Sequence, residues 1–447
     1  MHTFDVGQRF IRHYQAADYQ ILPRGSLLDP ATPMTFVGSA GLTQIETGIE
    51  QYQDHSGERY VLVQPCFRHF DIEKVGDSPV HLSLFEMGGA FAFGHIAREE
   101  TLGKLWSFLV DDLGLEPGQL WVTNFVGGIL DTHRLDPDVP TLNSWQKLGV
   151  RSTQILDVGV EAGFWRQGDG LNGHECLHKC GPTTEIFFDR GRELCCSDDC
   201  RPGCACGRFI EIANVLFIHD YIDQAANIIS PLFTPFDETV IGVERLAMAV
   251  QGRSSVYELD CFTPVVQFLA TYPRAAANLT EATIYAQCCI IADHIRALLF
   301  LTADGAPPPG KGGRARIMRQ LVRDIMTSQK VFGITDAGFS VDLIDTALRL
   351  YEGTNPHLTS GRERLLQYFQ LEIERFERTL QTGYRQLNHF VRQDPNGGLG
   401  GIQALALVKQ YGFPLPLLEA TLAAEGIPFD RQGYCKAYAA WLQTTES

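Results

Sequence analysis

No stretch of this 447-residue sequence holds the roughly 18 consecutive apolar residues needed to cross a bilayer. Its start, Met1-His2-Thr3-Phe4-Asp5, lacks a basic segment followed by an apolar one, so no secretory leader is read there. A membrane role is not expected, and a cytoplasmic location follows by default. No internal repeat is found. Positive charge is scarce: 37 Lys+Arg stand against 53 Asp+Glu, a net charge of −16 that disfavours nonspecific attachment to nucleic acid. The deficit is uneven. Residues 1–250 carry 18 Lys+Arg and 34 Asp+Glu, whereas residues 251–447 carry 19 of each. Any nucleic-acid surface is therefore expected in the second half.

The apolar fraction, 45%, is that of an ordinary globular protein, and the length suggests two domains or more. In the first 250 residues, short β-like runs alternate with turn signals. Tyr60–Phe67, Leu82–Phe93, Leu120–Val126, Glu185–Phe188 and Val215–Tyr221 read as strands, with a helix from about Glu99 to Asp112 between them. From Asn278 onward helical periodicity takes over. Thr280 or Thr283 is placed to cap a helix running to about Thr302, and Arg314–Gln329 forms the next one. Ser360-Gly361-Arg362-Glu363 has the capping-box pattern and opens a long helix to about Arg392. The expected architecture is an α/β catalytic domain, residues 1–250, followed by a helical domain, residues 251–447.

Two arginines carry the chemistry. Arg68 ends the apolar run Gln64-Pro65-Cys66-Phe67, and Arg245 heads the helix-like run Gly242-Val243-Glu244-Arg245-Leu246-Ala247. A guanidinium fork suits phosphate oxygens, and two fixed forks can neutralise both the phosphate under attack and the departing pyrophosphate. Alone, either arginine is as readily a structural ion-pair partner. The second apolar run, Leu82 to Gly94, adds a lone glutamate, Glu86, and phenylalanines that can sandwich a base.

These segments resemble motifs 2 and 3 of the class II aminoacyl-tRNA synthetases, and the wording is nearest to the alanine enzymes. The carrying blocks are Phe85-Glu86-Met87-Gly88 through Phe93-Gly94, Phe164-Trp165-Arg166-Gln167-Gly168-Asp169 and Cys180-Gly181-Pro182 with Glu185-Ile186. Asp189-Arg190-Gly191, Glu211-Ile212-Ala213-Asn214, Ala292-Asp293-His294-Ile295-Arg296 and Tyr411-Gly412-Phe413-Pro414 extend the likeness from about Gln8 to about Pro428. The resemblance implies a mostly antiparallel sheet with flanking helices (an α+β catalytic domain), then an all-helical domain. It implies ATP-dependent activation of a small amino acid as its adenylate. Arg68 would hold the α-phosphate and Arg245 the γ-phosphate, Glu86, Met87 and Phe91 would shape the adenine pocket, and Mg²⁺ would bridge the phosphates. Trp165 and Asn214 match the family's amino-acid pocket. Leu216, Glu238 and Val240 depart from its valine, aspartate and glycine, so the pocket should be no larger than one for alanine. Alanine is the first expectation, with glycine or a modified small amino acid open.

Twelve cysteines in a cytoplasmic chain point to metal rather than disulfides. Cys195, Cys200, Cys204 and Cys206 stand among turn residues, a set that suits tetrahedral Zn²⁺, with Cys196 able to replace Cys195. A cysteine-rich insert like this, here spanning 174–206, is similar to one in some alanine enzymes. His174, Cys176, His178 and Cys180 form a possible second set.

The acceptor surface departs most from the family. The loop after Arg68 is about four residues short and lacks the expected lysine. Where the family reads a G·U pair with an asparagine and an aspartate, this sequence has Lys311 with Arg314, and Lys409. Arg316, Arg319 and Arg323 fall at helical spacing, either a positive stripe or a solvated helix face. The family's editing motifs are not found. Three readings stay open: transfer of the activated amino acid to a non-standard acceptor (a metabolite amine, a nucleoside or a carrier), a minimal alanine–tRNA ligase with altered tRNA choice, and a regulatory relative without catalysis. Oligomeric state is not legible.

Overall fold

The computed structural model describes residues 1–30, 32–48, 54–168, 177–223, 227–272, 279–394 and 397–445, the side chains of 46–48, 177 and 445 excepted. His174 and Cys176 lie outside the described residues. The chain divides into two compact units, residues 1–70 with 79–261 and residues 71–78 with 262–447. The boundary drawn at residue 250 falls at the end of a helix inside the first unit.

The first unit is built on one sheet. Its strands are β1 (Gln20–Ile21), β2 (Arg59–Phe67), β3 (Leu84–Phe93), β4 (Leu120–Phe125), β7 (Ile155–Val158), β8 (Phe164–Arg166), β9 (Leu177–Asp189), β10 (Phe209–Asp223) and β11 (Ile228–Gly242). A separate hairpin pairs β5 (Gly128–Leu130) with β6 (His133–Leu135). The order is β1-β2-β3-β11-β10-β9-β4-β7, with β8 on β9. Only β1·β2 and β4·β7 pair in parallel, so the sheet is mixed and mostly antiparallel. Helices α1 (Thr3–Gln15), α2 (Leu42–Gly48), α3 (Arg98–Ser107), α4 (Val139–Lys147), α5 (Val160–Gly163) and α6 (Val243–Gln251) accompany it.

Of the strands that sequence pattern misses, the longest is β11, which pairs with β3 and β10 and leads into the helix of Arg245. Pro231 and Pro235 interrupt its first half, and its second half runs Asp237-Glu238-Thr239 through the sheet's centre. Those three polar side chains are buried, so alternation of apolar and polar residues is lost. Asp237 is satisfied by the Thr101 hydroxyl at 2.6 Å and by His219 at 3.0 Å. Paired glycines let layers approach β3 from both sides. A Cβ on Gly88 would strike the Phe10 ring of α1, and one on Gly89 would strike the Ala40 carbonyl. Successive strand residues face opposite ways, so α1 covers one face and the segment around Ala40 the other.

The second unit holds α7 (Thr263–Ala270), α8 (Glu281–Ala303), α9 (Gly313–Val331), α10 (Phe339–Arg349), α11 (Arg362–Gln393), α12 (Gly401–Lys409), α13 (Leu415–Glu425) and α14 (Arg431–Thr445). The Thr280 hydroxyl accepts from the Thr283 amide and caps α8, as expected. The capping box at Ser360 does not form: its hydroxyl donates to the His357 carbonyl, and α11 begins after Gly361. A second correction concerns apolar length. Taken as a window rather than an unbroken run, α8 is long and apolar enough to span a bilayer, yet 78% of that window is buried within the fold. It is the central helix of its unit, packed by α9 and α11.

Candidate active site

One face of the sheet gathers the expected site residues. Register sets Gly89 opposite Val240 and Val240 opposite Asn214; the next row sets Phe91 opposite Glu238 and Glu238 opposite Leu216. Leu216, Val240 and Phe91 share one apolar cluster, against which Met87 and Trp165 pack. Trp165 reaches it from β8, which pairs at Gly181 of β9. Asn214 is held by the Thr183 hydroxyl at 2.5 Å. Glu238 is only 4% exposed in this apolar setting. Phe91 is fully buried, so it braces the cluster from within, while Met87 stays half-buried at its margin.

Arg68 follows the last residue of β2 and is half-buried. Its guanidinium lies 5.1 Å from the centre of the Phe85 ring, a cation–π contact that fixes its direction. Its amide donates to the Ser83 carbonyl at 2.9 Å. Glu86 is anchored through its backbone: its amide donates to both carboxylate oxygens of Glu244, at 3.0 and 3.1 Å. Glu244 is buried in the first turn of α6. The segment of Glu86 and the helix of Arg245 are thus tied by one charged hydrogen-bonding group.

Arg245 is also half-buried. Its Nη1 donates to the Glu211 carbonyl at 3.3 Å and approaches the Glu211 carboxylate at 3.4 Å. Beside Glu211 stands Glu185, on neighbouring β9, whose amide donates to the Thr123 hydroxyl at 2.8 Å. Burial, reinforced by the Glu211 carboxylate, pushes the Glu185 carboxyl up to about 7. Sequence reasoning had these glutamates only as motif letters. Their spacing in the chain gives no sign that they meet; the β9·β10 ladder brings them together. A pair of carboxylates beside an arginine is a fitting donor set for Mg²⁺, which takes few protein oxygens and leaves the rest to water and phosphate.

The cysteine loop leaves β9 at Asp189 and returns at Arg208, whose guanidinium closes the neck with two bonds to the Asp189 carboxylate, at 2.6 and 2.7 Å. Inside it the sulfurs of Cys196, Cys200, Cys204 and Cys206 all lie within 4.8 Å of one another. Sulfurs about 2.3 Å from a tetrahedral zinc stand about 3.8 Å apart, so these four thiols fit that metal. A backbone hydrogen bond at Cys196 is the largest of the influences holding the Cys200 thiol down at about 7. Of the two cysteines left open for the first place, the close group takes in Cys196, while Cys195 donates its S–H to the Ser197 carbonyl at 2.8 Å. His178 and Cys180 are buried within β9 and join no such group among the described residues.

In the second unit the basic residues divide. Lys311 is exposed and Arg314 half-buried, both near the start of α9. Arg323 is bound to the buried Glu372 at 2.7 Å through two nitrogens, so it leaves the stripe expected with Arg316 and Arg319. Lys409 ends α12 with its ammonium 4.3 Å from the Trp441 ring and 4.6 Å from the Tyr438 ring of α14.

The sequence model for tRNA synthetases class II (A) matches residues 5–446. An alanine–tRNA ligase from Desulforudis audaxviator is 30% identical over 451 aligned positions, covering 100% of this chain and 49% of that protein. One from Dehalococcoides mccartyi is 30% identical, covering 96% and 47%. The chain spans about half the length of the curated relatives it matches. Among solved structures, an apo histidyl-tRNA synthetase from S. aureus aligns over 57% of this chain and 67% of its own, at 12% identity and a TM-score of 0.34, too remote to argue from.

Proposed function

The chain belongs to the class II aminoacyl-tRNA synthetases, in the family of the alanine enzymes, and we propose that it activates alanine or a similarly small amino acid with ATP. The observation that carries this is the tie between Glu86 and the helix of Arg245 through the buried Glu244, with Arg68 held over the neighbouring Phe85 ring. The amino-acid carboxylate attacks the α-phosphorus of ATP, the aminoacyl adenylate forms, and pyrophosphate leaves. Arg68 offsets charge on the phosphate under attack and Arg245 charge on the departing phosphates. Glu86 and Met87 receive the adenine, with Phe91 bracing them from the core. Trp165, Leu216 and Val240 bound the side-chain pocket, while Asn214 and Glu238 meet the substrate's ammonium group. Glu185 and Glu211 would hold magnesium, which when bound neutralises phosphate charge. Cys196, Cys200, Cys204 and Cys206 would hold zinc as a closed structural site that steadies the loop.

For the second half-reaction we favour an acceptor other than a tRNA read through a G·U pair, within a chain acting in the cytoplasm. Lys409 supports this reading: it stands where the family has the aspartate that reads the pair, and its exposed side chain, lying over Tyr438 and Trp441, can meet a phosphate but reads no base. Transfer to tRNA is the second reading, favoured by the 30% identity to alanine–tRNA ligases.

ATP–pyrophosphate exchange tests the first claim. It should proceed with alanine or glycine, and Arg68→Ala or Arg245→Ala should slow it by about 2–4 kcal/mol of barrier, or about 30- to 1000-fold. No exchange with any small amino acid would end the proposal. For the acceptor, a tRNA for alanine and its G·C variant should be treated alike. Efficient charging of the G·U form alone would restore the plain ligase reading.

A further inference from the structure

On the reverse of the catalytic sheet, α1 and α3 enclose an open cleft of about 830 Å³. It is a trough between two matched helix stripes. Arg9, Arg12 and His13 of α1 and its C-cap Ala16 stand at i, i+3, i+4 and i+7; Glu100, Gly103, Lys104 and Ser107 repeat that spacing on α3. Small side chains make its floor and cations its walls, in a half of the chain whose net balance is strongly acidic.

The acidic groups there are already committed. One Glu100 oxygen receives both Lys104 and Arg59, each at 2.7 Å. Asp112 is held by His13 at 2.6 Å, and the other His13 nitrogen meets the Lys104 carbonyl at 3.0 Å. Arg9 donates to the Asp112 backbone carbonyl at 3.1 Å. The Arg12 side chain is exposed and has no hydrogen bond or ion pair among the described residues. Positive charge is left over and faces the trough.

Gly103 is the second observation. It sits inside a helix, where glycine costs about 0.5–1 kcal/mol relative to alanine. A Cβ added there meets nothing within 4 Å, so neither packing nor backbone conformation demands glycine. Its effect is to keep the floor open.

We propose that this trough binds a small phosphate ester, the phosphate held by the Arg12 and Arg9 guanidinium groups and the organic body lying along Gly103. Arginine forks match phosphate oxygens in pairs, and the cleft is of the size that holds small organic ligands rather than a bare ion. The site is separate from adenylate chemistry. Phe10 of α1 packs against Gly88, and Thr101 of α3 bonds Asp237; both are on the face opposite Gly89 and Glu238.

Titration calorimetry of the full chain with ribose 5-phosphate, at ionic strength fixed with sodium chloride, tests this. Binding should persist in the Arg68→Ala/Arg245→Ala double variant. It should weaken at least tenfold in Arg9→Ala/Arg12→Ala, and equally in Gly103→Leu, which fills the floor without changing charge. Both arginines are exposed and the Gly103 site is open, so these variants should fold; their thermal unfolding should match the wild type. Absence of binding to the wild type would overturn the proposal. So would binding indifferent to both trough variants, or binding lost with Arg68 and Arg245, which would assign it to the catalytic face instead.

Discussion

At the scale of single residues, neighbouring side chains of like chemistry do unlike work. Cys195 and Cys196 are adjacent, yet the group of four sulfurs lying within 4.8 Å of one another takes in Cys196 with Cys200, Cys204 and Cys206. Structural zinc contributes folding free energy directly. Cys196→Ser is therefore expected to lose bound zinc and lower the melting temperature, whereas Cys195→Ser keeps both near wild type; metal analysis beside thermal unfolding reads the contrast. Equal loss from both variants would show that the ligand set is wrong. Glu185 makes a different case. Its pKa rises from 4.5 to about 7 on folding, first through burial. The folded state then binds more protons than the unfolded one, so this group's contribution falls as pH rises from about 4.5 and is fully unfavourable above about 7. The cost at alkaline pH is up to about 3 kcal/mol. Glu185→Gln should thus gain stability over wild type at pH 8 and show no gain at pH 4. A gain independent of pH would rule out the titration as its cause.

At the scale of elements, α8 is an apolar helix with a charged centre. His294 is buried, one ring nitrogen 2.9 Å from Asp293 and the other 3.4 Å from Asp324 of α9. Burial alone would lower its pKa; the two carboxylates outweigh that and raise it to about 9. A histidine with a raised folded pKa stabilises fully below its unfolded value, near 6.5, and loses that contribution as pH climbs through about 9. Denaturant unfolding of the helical unit should therefore weaken between pH 6.5 and 9, and Asp324→Asn should flatten the decline. The α12·α14 contact offers another test. Lys409 lies over both Tyr438 and Trp441, and such a cation–π contact at a surface contributes about 0.5–1 kcal/mol. Lys409→Ala should speed hydrogen exchange in α14 and leave pyrophosphate exchange untouched. Unchanged protection would mean that the rings do not hold the lysine in solution.

At the scale of the whole molecule, the two units are interleaved in sequence. Residues 71–78 follow Arg68 but belong with the helical unit, where a Cβ on Gly76 would lie 2.9 Å from the Ala286 carbonyl of α8. Gly76 also has φ +91°, a region few side chains tolerate. A fragment ending at residue 261 would carry that loop without its packing. It is expected to exchange pyrophosphate more slowly than the full chain, in the same assay that tests Arg68. Equal rates would show that the adenylation site needs nothing from the helical unit.

Legible in the amino-acid sequence were the family, a mostly antiparallel sheet followed by helices, the strands beside Arg68 and Glu86, and the cysteine loop as a whole. These are written in contiguous runs: apolar segments bounded by turns, a threonine before α8, blocks of motif in fixed order. Tertiary structure alone decided what depends on distant residues meeting. The buried polar run Asp237-Glu238-Thr239 became a central strand because Thr101 and His219 satisfy Asp237. Glu185 met Glu211 through a strand ladder, and Glu244 gripped the backbone of Glu86 across 158 residues. Cys196 joined Cys200, Cys204 and Cys206, and the exposed Lys409 came to lie over two aromatic rings. Local pattern records how a segment covers its own apolar surface; which partner a charge finds is set by the closing of the chain in space.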